Sequence, residues 1–293
     1  MTSNSKSPQQ RRHTRAAALF LAPALLVFAI YVLYPIAQSI RLSFYEWDGI
    51  APKEFIGLDN YRELFDDDTL YKALKNNAIW LGLFLLSPPL GLAIALFLNQ
   101  QMRGMRLVKS LFFMPFVLSG VVVGMVFTWF YDPTAGLLSW LVGRSVPLLG
   151  DERYVTFGIV FAALWPQTAY CMILYLTGLT AVNAEQIEAA RIEGAQGFTL
   201  LRRVILPQLK PATFMAIVVT VIGALRSFDL ISIMSDGGPY ESSTVLAFFM
   251  YEQAIKYHRQ GYGAAIATVL MAIMLVYIAW FLWRMIREET HDE

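Results

Sequence analysis

The chain has 293 residues, 57% of them hydrophobic and 15% charged, with a net charge of +1 and a mean hydropathy of +0.50. A water-soluble domain carries roughly 25% charged residues, so lipid is the expected solvent, and no excess of base points to nucleic acid. One cysteine, Cys171, and three scattered histidines, His13, His258 and His291, exclude a disulfide framework and leave no ligand cluster for a metal ion.

A membrane span needs about 20 mostly apolar residues. The opening MTSNSKSPQQRRHTR is basic and gives way to an uncharged run over 16–40. That run is long enough to be a retained first span behind a basic leader, residues 1–15, rather than a cleaved signal. The loop that follows mixes aromatics with acids. Within it DNYRELF predicts a short amphipathic helix, capped by Asp59 or Asn60, that anchors the span ends at the interface. Further uncharged runs cover 76–102, 110–131, 154–184 and 260–283. Pro88-Pro89 is expected to kink or break the second span. Gly120-x-x-x-Gly124 in the third is a close-approach motif between helices. A fifth span, 211–235, carries Arg226 and Asp229 and ends at DGGP.

These runs predict an all-α integral membrane protein with six transmembrane helices and both termini on one side. With the N-terminus inside, Lys and Arg exceed the acids in the inside segments, and acids exceed them in the outside loops. Both termini, including the tail 286–293, are therefore expected in the cytoplasm.

That orientation puts EAARIEGAQGFTLLRRVILPQLKP, Glu188 to Pro211, in the cytoplasm. Asn183 followed by Gln186 resembles a capping box, and AEQIEAARIE is a strong helix former. Gly194 interrupts the helix. A second amphipathic segment follows and is expected to end at Pro207 and Pro211. One flank is acidic, with Glu185, Glu188 and Glu193; the other is basic, with Arg202, Arg203 and Lys210. Snorkelling arginines on an interfacial loop would account for the basic flank. The small surface of Ala189, Ala190, Gly194 and Ala195 suits close approach of another protein.

The same stretch resembles the EAA loop of ABC importer permeases, with Glu188, Ala189, Ala190, Gly194, Val204, Leu206 and Pro207 at the family's spacing. Val204 stands where the family usually has Ile, and Glu193 where it has Asp. Residues 235–270, with the GGP turn and YGAA before the last span, are similar to the carbohydrate-uptake subfamily, as is FIGLDNY. The resemblance runs from about residue 16 to 285 and is closest to the first of two paired permeases of the maltose and glycerol-phosphate type. It implies the type I ABC importer permease fold over 16–285, with the coupling loop at 184–211, in a bacterial inner membrane. It implies that Glu188, Ala189, Ala190, Gly194, Leu206 and Pro207 form the contact with an ATPase, with Glu188 as the polar contact and Gly194 as the turn. It also implies a second permease, two ATP-binding subunits carrying ATP and Mg, and an extracytoplasmic sugar-binding protein.

No GxxxxGK[ST] loop is present in the chain, so ATP hydrolysis is expected on a separate subunit and no catalytic residue is assigned. Sugar sites combine aromatic faces with amide and hydroxyl groups. The fourth span offers Trp165, Gln167 and Tyr170 around Pro166. By span position these resemble the part of the maltose-type permease that lines its sugar pocket; packing between helices is the alternative for Trp165 and Tyr170. The fifth span offers Thr220, Ala224, Arg226 and Asp229. Arg226 and Asp229 are three apart, so on one helix they share a face and could pair. Charges within a span are costly and are functional candidates. Arg226 would suit an anionic sugar, whereas a structural pair near the outer gate would not require one. An ion-coupled secondary carrier is the competing class, and it has no use for an EAA loop.

Overall fold

A computed structural model describes residues 20–100 and 103–289. The leader expected over 1–15, with His13, and the end of the tail over 290–293, with His291, lie outside the described residues.

The first apolar helix is α1 (Phe20–Leu42). A short antiparallel hairpin follows, in which β1 (Tyr45–Glu46) pairs with β2 (Glu54–Phe55). Next come α2 (Asp59–Asp66), α3 (Asp68–Phe84) and α4 (Ser87–Leu98). Pro88 falls in the first turn of α4, where its missing N–H costs no helical bond. The helix is interrupted there, yet Asp68–Leu98 is still long and apolar enough to cross as one element.

α5 (Met105–Val117) and α6 (Gly120–Phe130) meet at a bend of 98°. This corrects the single straight span expected over 110–131. Leu118 and Ser119 take extended backbone, and the Ser119 hydroxyl caps α6 by accepting from the Val122 N–H at 3.4 Å. α7 (Leu137–Val142) leads to the long α8 (Val155–Thr180). Then come α9 (Ala184–Ile192) and α10 (Gly197–Gln208), and α11 (Lys210–Leu225) leaves α10 at 75°. α12 (Asp229–Met234), α13 (Leu246–Tyr251) and α14 (Gln260–Glu289) complete the chain. Among the described residues four helices are long and apolar enough to cross a membrane, and the two bent pairs raise the count to as many as six.

α8 is the hub. Half of its most apolar window is buried, against a third for the α3–α4 window. Its first turns join Trp80, Phe84, Ile159 and Phe248 in one cluster, and its later turns join Ala95, Leu98, Cys171, Tyr175 and Leu209 in another. A third cluster, with Leu64, Leu70, Phe249, Tyr262 and Ile266, fixes α2, α3 and α13 to the start of α14. Gly120 and Gly124 make a helix contact within the chain: a Cβ on either would come within 3.1 Å of α12, at Asp229 and Ile233 respectively.

The loops between spans are ordered by side chains bound to backbone. Asn60 does not cap α2, and neither does Asp59. The Asn60 amide is buried and donates instead to the carbonyls of Ser43 and Tyr45, at 2.9 and 3.0 Å. Asn76 on α3 works the same way. Its amide donates to the carbonyls of Ser242 and Thr244, both at 2.8 Å, while its own oxygen accepts from the Thr156 hydroxyl at 3.3 Å. Removing it strands the buried Thr244 carbonyl, whereas the Ser242 carbonyl keeps the Thr156 hydroxyl at 3.1 Å. Asn76→Ala is therefore expected to cost about 1–3 kcal/mol, read as a lower melting temperature of the detergent-solubilised complex. An unchanged melting temperature would show that the 242–244 segment does not depend on this amide.

Candidate functional site

A cavity of about 510 Å³ lies beside α8, walled by α3, α5, α11, α12 and the break between the last two. The volume is in the range of small-molecule sites, roughly 300–1,000 Å³. Its apolar walls are aromatic. Phe116 and Tyr170 stack with centroids 4.9 Å apart, and Trp80 and Phe84 tilt together at 5.1 Å. Its polar groups are Gln167, Arg226, Ser227 and Asp229. Pro166, also in the wall, sits inside α8. A proline there leaves one carbonyl without its helical donor, which is tolerated where backbone borders a cavity.

Arg226 and Asp229 do not share a helix face. Arg226 closes α11 and is no longer helical (φ −97°, ψ 8°), Phe228 turns the chain at φ −142°, and Asp229 begins α12. The Ser227 hydroxyl donates back to the Gly223 carbonyl at 3.0 Å and satisfies one acceptor freed at the helix end. No ion pair joins Arg226 to Asp229 among the described residues. Both charges border the cavity. The Asp229 carboxylate also lies against Gly120, in the first turn of α6, where the helix dipole favours negative charge.

Of the seven residues named from the sequence, Gln167, Tyr170, Arg226 and Asp229 come together around the cavity. Trp165 stands apart, with its ring edge-on to Phe127 at 5.9 Å. Thr220 and Ala224 are fully buried, because they face neighbouring helices rather than the open space. Trp80, Phe84, Phe116 and Phe228 line the wall and were not singled out from the sequence. The i, i+4 spacing of Trp80 and Phe84 puts both on one helix face, and that was the available signal.

The coupling segment is the second candidate. The Asn183 side chain caps α9 by accepting from the N–H groups of Glu185 and Gln186, at 2.8 and 3.4 Å. The reciprocal bond of a capping box comes from elsewhere: the Asn183 N–H donates to Gln208 Oε1 at 2.9 Å, and Gln208 Nε2 donates to the Val204 carbonyl at 3.0 Å. This clasp ties the two ends of the segment. Gly194 turns the chain at φ +89°, a conformation that L side chains rarely adopt. Pro207 does not end α10. A π-helical turn over Leu201–Ile205 precedes it, and the chain turns only at Leu209. Glu188, Ala189, Gly194 and Pro207 are exposed, Ala190 and Leu206 half-buried, and no residue of α9 is buried. Ile192 and Phe198 are 87% and 71% exposed, a pair of apolar residues that the sequence reading did not single out.

Residues 78–287 match the family described as "Binding-protein-dependent transport system inner membrane component". A "Probable ABC transporter permease protein" of Pyrococcus horikoshii is 34% identical over 90% of this chain and 94% of its own. A diacetylchitobiose uptake system permease protein of Streptomyces coelicolor is 30% identical over 89% of this chain and 79% of its own. Among solved structures, a bacterial ABC transporter involved in import of the acidic polysaccharide alginate shares the fold. Its TM-score is 0.81 at 22% identity, covering 94% of this chain and 96% of that one. The family match spans most of the chain and sets aside the ion-coupled carrier: the chain belongs to the inner-membrane components of binding-protein-dependent transport systems, the non-enzymatic permease subunits of ABC transporters.

Proposed function

We propose that this permease carries a sugar or sugar derivative inward, and that α8 and α11 are the moving walls of its path. The observation that carries the reading is the cavity, where aromatic faces adjoin an amide, a guanidinium and a carboxylate. Aromatic faces accept the apolar face of a sugar ring, and the polar groups accept or donate to its hydroxyls. The diacetylchitobiose uptake permease among the relatives supports the same class.

The working complex pairs this chain with a second permease, two ATP-binding subunits that hold ATP and Mg, and an extracytoplasmic sugar-binding protein. The chain crosses six times with both termini in the cytoplasm, a reading supported by the distribution of Lys and Arg. The coupling segment is 184–211, with Glu188, Ala189, Ala190, Gly194, Leu206 and Pro207 at the contact. Its place in the chain supports the role. α8 runs into it and α11 runs out of it, and the same two helices carry Gln167, Tyr170 and Arg226 at the cavity. A rigid displacement of the segment by closing ATPases reaches both walls directly.

The test is ATP hydrolysis in proteoliposomes holding this chain with its neighbouring-gene ATPase, second permease and binding protein. Hydrolysis should rise only with sugar-loaded binding protein. Uptake that persists without the ATPase would overturn the reading. The sugar panel runs from neutral to anionic: maltose, diacetylchitobiose, glycerol phosphate and an alginate oligosaccharide. Arg226 borders the cavity without an ion-pair partner among the described residues, so it is free to read an anion. A hydrogen bond to a charged group is worth about 1.5–3 kcal/mol. Arg226→Gln is therefore expected to cut uptake of an anionic sugar by about tenfold to a hundredfold and that of a neutral sugar much less. Equal losses for both would remove charge reading from Arg226.

A further inference from the structure

Three polar side chains join α8 to α11 behind the cavity wall. Gln167 Nε2 donates to Thr220 Oγ1 at 3.0 Å, and Cys171 Sγ lies 3.4 Å from the same hydroxyl. Thr220 and Cys171 are fully buried, whereas Gln167 is half-buried and borders the cavity. Thr220 therefore cannot itself touch a molecule in the cavity.

An amide has one donating end and one accepting end. Thr220 occupies the donating end of Gln167. Its oxygen has no hydrogen-bond donor among the described residues. That oxygen lies over Gly223, less than one turn from Thr220 on α11: a Cβ on Gly223 would sit 3.4 Å from it. Gly223 is itself part of the cavity wall. The bare glycine leaves room for the oxygen at the wall. With its proton turned to Cys171 Sγ, the Thr220 hydroxyl offers Gln167 an acceptor only, so it holds the amide N–H and gives a turned-over amide oxygen no donor.

We infer that Thr220 is a positioning residue, which fixes Gln167 with its carbonyl oxygen presented to the cavity as an acceptor for a substrate hydroxyl. This rests on the sugar-import reading above. An acceptor held in place selects a donor at one point of the sugar. An amide free to turn over offers a donor or an acceptor there and selects neither. The simpler role for the trio is a polar clamp between two membrane helices. The two roles separate in measurement, because a clamp acts on stability and a positioned acceptor acts on turnover.

The experiment uses the full complex in proteoliposomes with the four-sugar panel. In the best-transported sugar, Thr220→Val should lower maximal uptake about tenfold, the worth of roughly one hydrogen bond. The concentration of loaded binding protein giving half-maximal uptake should not move, because that protein meets the outer face. Thr220→Ser, which keeps the hydroxyl, should stay within about twofold of wild type. Gln167→Leu should lose as much as Thr220→Val, and the double variant should lose no more than either, as expected of two residues acting as one unit. Wild-type uptake by Thr220→Val with only a lowered melting temperature would leave the clamp and overturn the inference. Multiplying losses in the double variant would overturn it as well. A wild-type complex that moves none of the four sugars would sink the sugar reading and the positioning role together, whereas an active wild type with an equally active Thr220→Val sinks the positioning role alone.

Discussion

Gly91→Leu should destabilise the permease by about 3 kcal/mol or more and abolish most uptake. At Gly91 the backbone of α4 lies close against α8. A Cβ there would sit 2.7 Å from the Cys171 Cβ and 2.7 Å from the Met172 backbone nitrogen. Backbone cannot move aside as a side-chain tip can, so the helices must separate. The contact lies in the cluster of Ala95, Leu98, Cys171 and Tyr175, and opening it exchanges tight packing for voids. The displacement also reaches the site, because Cys171 shares the Thr220 hydroxyl with Gln167. Gly91→Ala should show a smaller loss of the same kind. Gly82, with nothing within 4 Å of an added Cβ, supplies the control, and Gly82→Ala should match wild type in melting temperature and uptake. If Gly91→Leu melts and transports like Gly82→Ala, the helix contact is not the constraint described.

What was legible in the sequence follows from what each signal reports. An uncharged run reports that a segment tolerates lipid, and α8 and α14 were found that way. It does not report where the backbone bends. The run over 110–131 hides a 98° turn, because apolar residues flank Ser119 on both sides and one hydroxyl suffices to cap a new helix. Arg226 and Asp229 marked the cavity because charge in a span is costly. Assuming an unbroken helical period then put them on one face, and the break at Arg226–Phe228 removes that face. Most of the aromatic wall was not read from the sequence: spacing put Trp80 and Phe84 on one helix face, but they and Phe116 come from other helices and meet Tyr170 only through the fold. Asn60 had the chemistry of a cap and was drawn instead to the backbone carbonyls of Ser43 and Tyr45, which shows tertiary demand overriding local preference. The coupling segment was the most legible part. Its cap, its turn glycine and its spacing are local features, and the structure adds what only exposure reveals, Ile192 and Phe198.

Glu188→Lys should cut ATP hydrolysis stimulated by sugar-loaded binding protein at least about thirtyfold, with little change in folding. Glu188 is exposed, and α9 buries none of its residues, so within this chain the substitution disturbs no core and should cost within about 0.5 kcal/mol. A helix of nine residues is marginal on its own in water. It is held here by its cap and by the Asn183–Gln208 clasp. A largely exposed element with Ile192 and Phe198 exposed suits a partner surface that would cover them. At such an interface, disrupting a buried, hydrogen-bonded charge costs about 2–5 kcal/mol, which is the source of the thirtyfold floor. Glu188→Gln, which keeps the shape and one acceptor, should fall between wild type and Glu188→Lys. Gln208→Ala tests the lever rather than the contact. It opens the clasp without touching the exposed face, so it should lower the uptake per ATP hydrolysed more than it lowers hydrolysis itself. Stimulated hydrolysis at wild-type rate in Glu188→Lys would place the ATPase contact elsewhere on the chain, and the clasp would then have no movement to transmit.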